Sequence, residues 1–165
     1  MQKRLYFICP TDHLESVINK AFKQENYYCT SLGNSIRFTS EMVGQINALI
    51  TTKEIKEITF VLSSNNHIIT DALKNHDFMN IRGLANFYNE IHKQKLHSEV
   101  LWQTNHRQFL ILSYYLNMKI KELHFELSNL SCIPVKINGK IYSREENVFK
   151  NIYSDLICIE KHYVN

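Results

Sequence analysis

Two spacings of apolar residues alternate along the first half of this chain. Residues 4–9, RLYFIC, form an almost unbroken apolar run stopped by Pro10, the pattern of a buried strand. Leu14, Val17, Ile18, Ala21 and Phe22 then recur at helical spacing, with Asp12 and Glu15 placed as a capping pair at the start. A short strand around Tyr27–Thr30 gives way to the turn residues SLGNS. Ser40 caps a second helix that carries Met42, Val43, Ile46, Leu49 and Ile50 on its apolar side. The run ITFVL, residues 58–62, reads as a strand covered on both faces. Strand, helix, strand, helix, strand predicts a parallel α/β sheet with right-handed crossovers.

The second half is more helical. Phe78, Ile81, Leu84, Ala85, Tyr88 and Ile91 mark one amphipathic helix, and a longer one runs from Trp102 to Leu116. LHFEL then alternates, with Leu123, Phe125 and Leu127 on one side, and predicts a strand buried on one face. Asn138-Gly139, set between β-formers, signals a two-residue hairpin. Ser143 with Glu146 resembles a capping box for a closing helix through Phe149, Ile152, Tyr153, Leu156 and Ile157, although DLICI also suits a strand. The phrase IKEITFVL at residue 55 returns as IKELHFEL at residue 120, and the shared physics of a helix leading into a strand accounts for the echo without a true repeat.

The 165 residues fit a single α/β domain, a mainly parallel sheet flanked by helices, and the scarcity of Gly (4) and Pro (2) favours long regular elements over loops. A net charge of +3, dispersed among paired acids and bases, argues against nucleic-acid binding. The N-terminal apolar run is too short for a signal peptide or a membrane span, so a cytoplasmic location is expected, with Cys9, Cys29, Cys132 and Cys158 as reduced thiols. His76, His92, His97, His106, His124 and His162 form no pair at i, i+4 spacing and read as surface residues.

In a parallel sheet, ligands gather beyond the carboxyl ends of the strands. CPTDH, SLGNS and SSNNH meet there on this reading. The candidate ligand pocket is Cys9, Thr11, Asp12, His13, Gly33, Asn34, Ser64, Asn66 and His67. Simpler roles exist for several of these: Cys9 as a buried small hydrophobe, Gly33 as a turn residue with positive φ, Ser63 to Asn66 as helix caps. Cys9 and His67 as nucleophile and base is a further arrangement.

The order Cys9, then Leu32-Gly33-Asn34, then a helix leading into IKEITFVLSSNNHIITDAL resembles the β-class carbonic anhydrases. That family runs from a C-x-D-x-R motif through an A-G-N turn to a strand ending in H-x-x-C. The distance along the chain from Cys9 to Ser64 is of the size that family uses, and IPVKINGKIYS is similar to its closing strand. The resemblance implies the family's α/β fold and a homodimer, with the aromatic helix around Trp102, Phe109, Tyr114 and Tyr115 as a partner surface or as core. At the family's motif positions this chain departs. Thr11 stands at the aspartate, His13 at the arginine, Ser64 at the histidine ligand and His67 at the second cysteine ligand. Those departures predict a chain that has lost zinc-dependent hydration of carbon dioxide, binds no cofactor, and keeps a pocket for a small anion or polar molecule. Two other readings stand beside it. One is a rearranged zinc enzyme using Cys9 and His67, with Asp12 or His13; the other is a non-catalytic interaction protein.

Overall fold

The protein is seen here as a computed structural model that describes residues 2–101, 107–130 and 134–153, the stretch 97–101 by its backbone. Its sheet has five strands in the order β2-β1-β3-β4-β5. They are β1 (Lys3–Ile8), β2 (Glu25–Thr30), β3 (Glu57–Ser63), β4 (Lys136–Ser143) and β5 (Val148–Asn151). The first four run parallel, and β5 turns back against β4. The helices are α1 (Glu15–Ala21), α2 (Ser40–Lys53), α3 (His67–Leu73), α4 (Ala85–Leu101) and α5 (Arg107–Leu130).

The strand β3 is buried along its whole length, as its nearly continuous apolar run ITFVL leads one to expect. Leu5, Phe7, Ile58, Phe60, Leu62 and Ile141 face a core closed by α2, α3, α4 and α5. Phe7 stacks on Phe60 with centroids 4.6 Å apart, and Phe38 meets both edge-on. On the opposite face Tyr6, Ile8, Val61 and Tyr142 pack against Leu14 and Ile18, with Val17, Phe22, Tyr28 and Phe149 closing around them.

Several expectations from the second half give way. LHFEL is helical, inside the 24-residue α5, because Leu116, Leu123 and Leu127 recur at helical spacing and all face the core. Phe125, which a one-sided strand would bury, is 66% exposed. The echo of IKEITFVL is therefore a helix where the original is a strand. Asn138-Gly139 makes no hairpin. The strand β4 runs straight through it, paired with β3 from Glu57↔Lys136 to Ser63↔Tyr142. A Cβ on Gly139 would meet Ile152 Cδ1 at 2.6 Å, so the glycine admits a neighbouring side chain instead of a turn.

Ser143 Oγ does accept the Glu146 N–H at 3.3 Å, but that local bond closes a turn into β5 instead of opening a helix. Leu156, Ile157 and the rest of DLICI lie outside the described residues. Phe78 and Ile81 precede α4, in turns. Asp71 takes the N–H groups of Asp77 and Phe78, each at 3.1 Å, together with the Tyr88 hydroxyl, and those bonds hold the segment out of helix. On α5, Tyr115 belongs to the core and Phe109 lies against the ring of Tyr153, while Trp102 is outside the described residues. His76 is half-buried, its ring against Tyr88 and His92.

Candidate functional site

The sheet order sets β1, β2 and β3 side by side, so the segments that follow them share one end of the molecule. After β1 the chain makes a single 3-10 turn, Pro10–Asp12, and leaves it through His13 in the left-handed region at φ 50°. After β2 comes a second, Leu32–Asn34, with Gly33 at φ 58° and Asn34 at φ 55°. A Cβ on Gly33 would sit 3.0 Å from Phe87 Cζ and 3.1 Å from Ile68 Cγ2, so backbone conformation and close packing both call for glycine there.

Asp12 does not cap α1, whose first turn is preceded by Leu14 without a side-chain cap. Its carboxylate points across the sheet end. Oδ2 accepts the Ser63 N–H at 2.8 Å and Oδ1 accepts the Asn66 amide at 2.9 Å. Asn66 in turn caps α3, its Oδ1 accepting the Ile69 N–H at 3.0 Å. Arg144, from the turn after β4, donates to the Asp12 carbonyl. Asp12 is 2% exposed, and burial pushes its carboxyl above the usual carboxylate range, against the pull of Ser63, Asn66, Arg144 and His67.

Cys9, just after β1, is fully buried. Its Sγ accepts the Gly33 N–H at 3.1 Å and lies 3.0 Å from the Thr11 hydroxyl. Asn34 is buried as well, donating to the Val61 carbonyl at 3.0 Å, while its own carbonyl accepts the Tyr115 hydroxyl at 2.8 Å. The Ser64 N–H bonds the Tyr142 carbonyl at 2.9 Å.

The predicted pocket residues thus gather at one corner but fall into two layers. Cys9, Asp12, Gly33, Asn34 and Asn66 are buried scaffold, each tied to a neighbour. His13 and His67 are exposed, and Thr11 and Ser64 half-buried, at the rim. Among the described residues no three of His, Cys, Asp and Glu converge as a metal site would require. Three contacts on candidate residues escaped sequence reasoning: Arg144 on Asp12, Tyr115 on Asn34, and Gln108, which donates to the Ser64 carbonyl at 2.6 Å. They join positions 132, 81 and 44 residues apart, and no local pattern announces them.

An open sheet, parallel in four strands and closed by one antiparallel edge, with two tight turns and a helix cap at its carboxyl end, defines an open-sheet α/β protein. The comparisons narrow that class. No family model matches the sequence, and no curated protein is recognisably similar to it. Solved structures do match. A β-carbonic anhydrase of Aspergillus fumigatus, CafD, superposes with a TM-score of 0.73 at 12% identity, over 93% of this chain and 90% of that one. A structure from a study of two tetrameric β-carbonic anhydrases of Sordaria macrospora gives 0.66 at 12%, over 92% and 80%. The Coccomyxa β-carbonic anhydrase in complex with acetazolamide gives 0.66 at 11%, over 97% and 76%. The chain has the β-carbonic anhydrase fold.

Proposed function

We propose that this protein keeps the β-carbonic anhydrase fold without its zinc hydratase chemistry, and that its corner serves a small anion or polar molecule. The observation that carries the reading is the fate of Asp12. Its carboxylate has both oxygens taken, by the Ser63 N–H and the Asn66 amide, and acts as a pin between β3 and α3. The other donors support the same view. Zinc takes four donors drawn from thiolate, imidazole and carboxylate. Here Cys9 is sealed under Gly33 and Thr11, Ser64 offers a hydroxyl, and His67 stands exposed at the first residue of α3. That set does not fit zinc. Thr11, His13, Ser64 and His67 remain at the rim, with hydroxyl and imidazole groups suited to a small polar ligand.

Metal analysis of protein purified without a histidine tag, together with a carbon dioxide hydration assay, tests the reading. Zinc well below one per chain and no hydration above background are expected. About one tightly held zinc per chain, lost in Cys9→Ala and in His67→Ala, overturns it in favour of a rearranged Cys/His site. Self-association, which the fold resemblance implies, has the exposed Phe125 and Leu130 of α5 in its support. Light scattering that returns the mass of a single chain at working concentration overturns that part.

A further inference from the structure

The chain between the Leu32–Asn34 turn and α2 passes a cleft of about 230 Å³ that α4 and α5 leave open. Phe87 and Glu90 line it from one face of α4. From α5 come Tyr115, Met118, Lys119 and Glu122, at the i, i+3, i+4, i+7 spacing of a single stripe. Where two helices meet, such a stripe is ordinarily apolar. Here only the floor is. Phe87 and Tyr115 are buried edge to face, their centroids 5.1 Å apart, with the half-buried Met118 beside them. The Tyr115 hydroxyl is committed to the Asn34 carbonyl, so it brings the cleft a ring and no free polar group.

The rim carries charge. Lys119 is fully engaged: its Nζ donates to the Ile36 carbonyl at 2.9 Å, pairs with Glu122 Oε2 at 3.0 Å and stands over the Phe38 ring. Glu90 is half-buried, and the Gln94 amide fixes its Oε1 at 3.1 Å, which leaves Oε2 without a partner among the described residues. Burial, and after it Glu122, Cys9 and Glu90, hold the Tyr115 hydroxyl well above the usual phenol range, so both carboxylates bear on the floor. Arg37 is exposed at the mouth, and its guanidinium makes no hydrogen bond or ion pair among the described residues. Gly83 stands at the entrance with φ 92°, and a Cβ added there would meet nothing within 4 Å, so that side is open.

With Lys119 and Glu122 matched to each other, one carboxylate and one guanidinium remain, of opposite sign and beside an apolar floor. The cleft is also smaller than the roughly 300–1,000 Å³ that drug-sized ligands occupy. We propose that it binds a small aliphatic α-amino acid as its zwitterion. The ammonium is set against Glu90, the carboxylate against the planar fork of Arg37, and the side chain against Met118 and Phe87. None of the corner residues takes part, so this site stands or falls apart from the function proposed for the corner.

Calorimetric titration with L-valine near pH 7 tests it, beside isobutylamine, which lacks valine's carboxylate, and isovalerate, which lacks its ammonium. Saturable binding of valine is expected, several-fold tighter than either fragment. The two charges then act crosswise. Glu90→Gln weakens valine and isobutylamine roughly five-fold and spares isovalerate, whereas Arg37→Met weakens valine and isovalerate by as much and spares isobutylamine. Lys150→Met, removing a lysine that pairs with Glu146 on the surface, leaves all three unchanged. No saturable valine binding, equal binding of the three molecules, full valine affinity in either rim variant, or variants that weaken all three alike each overturns the proposal.

Discussion

Asp12 carries its carboxylate into a nearly dry corner where two donors wait for it, the Ser63 N–H and the Asn66 amide. Asparagine at this position supplies one acceptor oxygen where two are needed. Asp12→Asn therefore leaves a buried donor unmatched and lowers unfolding stability by about 1–3 kcal/mol, read by chemical denaturation, even though it removes a desolvated charge. The pH dependence has a definite sign. Burial raises the carboxyl's pKa in the folded state, so the fold holds this proton more tightly than the unfolded chain does. That contribution is present in acid, below the ordinary aspartate range, and is lost as pH rises through the raised value. The gap between wild type and Asp12→Asn accordingly narrows over that rise; a gap that widens contradicts the assignment. Gly33→Ala forces a side chain at φ 58° against Phe87 and Ile68, and a loss of about 1–3 kcal/mol is expected in the same measurement.

Among the secondary-structure elements, α5 and β4 show where pattern reading stops. The strands β1 and β3 are legible because a strand covered on both faces is apolar at nearly every central position, and both runs are too short for a helix, β1 being stopped by Pro10 as well. The phrase LHFEL carries two periods at once. Leu123, Phe125 and Leu127 alternate, while Leu116, Leu123 and Leu127 also keep helical spacing, and only packing against the sheet chooses between them. The choice is measurable. Leu123→Ala costs about 2–5 kcal/mol as a cavity in the core, whereas Phe125→Ala, with 66% of the phenylalanine exposed, stays within about 0.5 kcal/mol. Comparable losses at both positions would restore the one-sided strand. Asn138-Gly139 misleads for a related reason. A dipeptide that favours a tight turn is also one whose glycine lets Ile120 and Ile152 approach, and the chain uses the second property. At the corner, sequence order alone identified which loops meet. It did not reveal that Asp12 turns away from α1, since the donors that attract it lie on β3 and α3.

Taken whole, the described residues hold the architecture through apolar packing on both faces of one sheet. A chelator added in excess is thus expected to leave the thermal unfolding midpoint unchanged. A fall of several degrees that added zinc restores would place a structural ion in the fold. The likeness to CafD, a TM-score of 0.73 at 12% identity, is one of fold. The contact from Arg144 to the Asp12 carbonyl has one further consequence, for the protein as it is made. The turns after β1 and β2 and the start of α3 all come from the first half of the chain, yet the guanidinium that ties the first of them arrives 132 residues later. Strand β4, which flanks β3 throughout, arrives only shortly before it. On the ribosome, then, β1, β2 and β3 emerge long before the corner can be completed, and the nascent sheet waits with one edge of its central strand bare until β4 has been made.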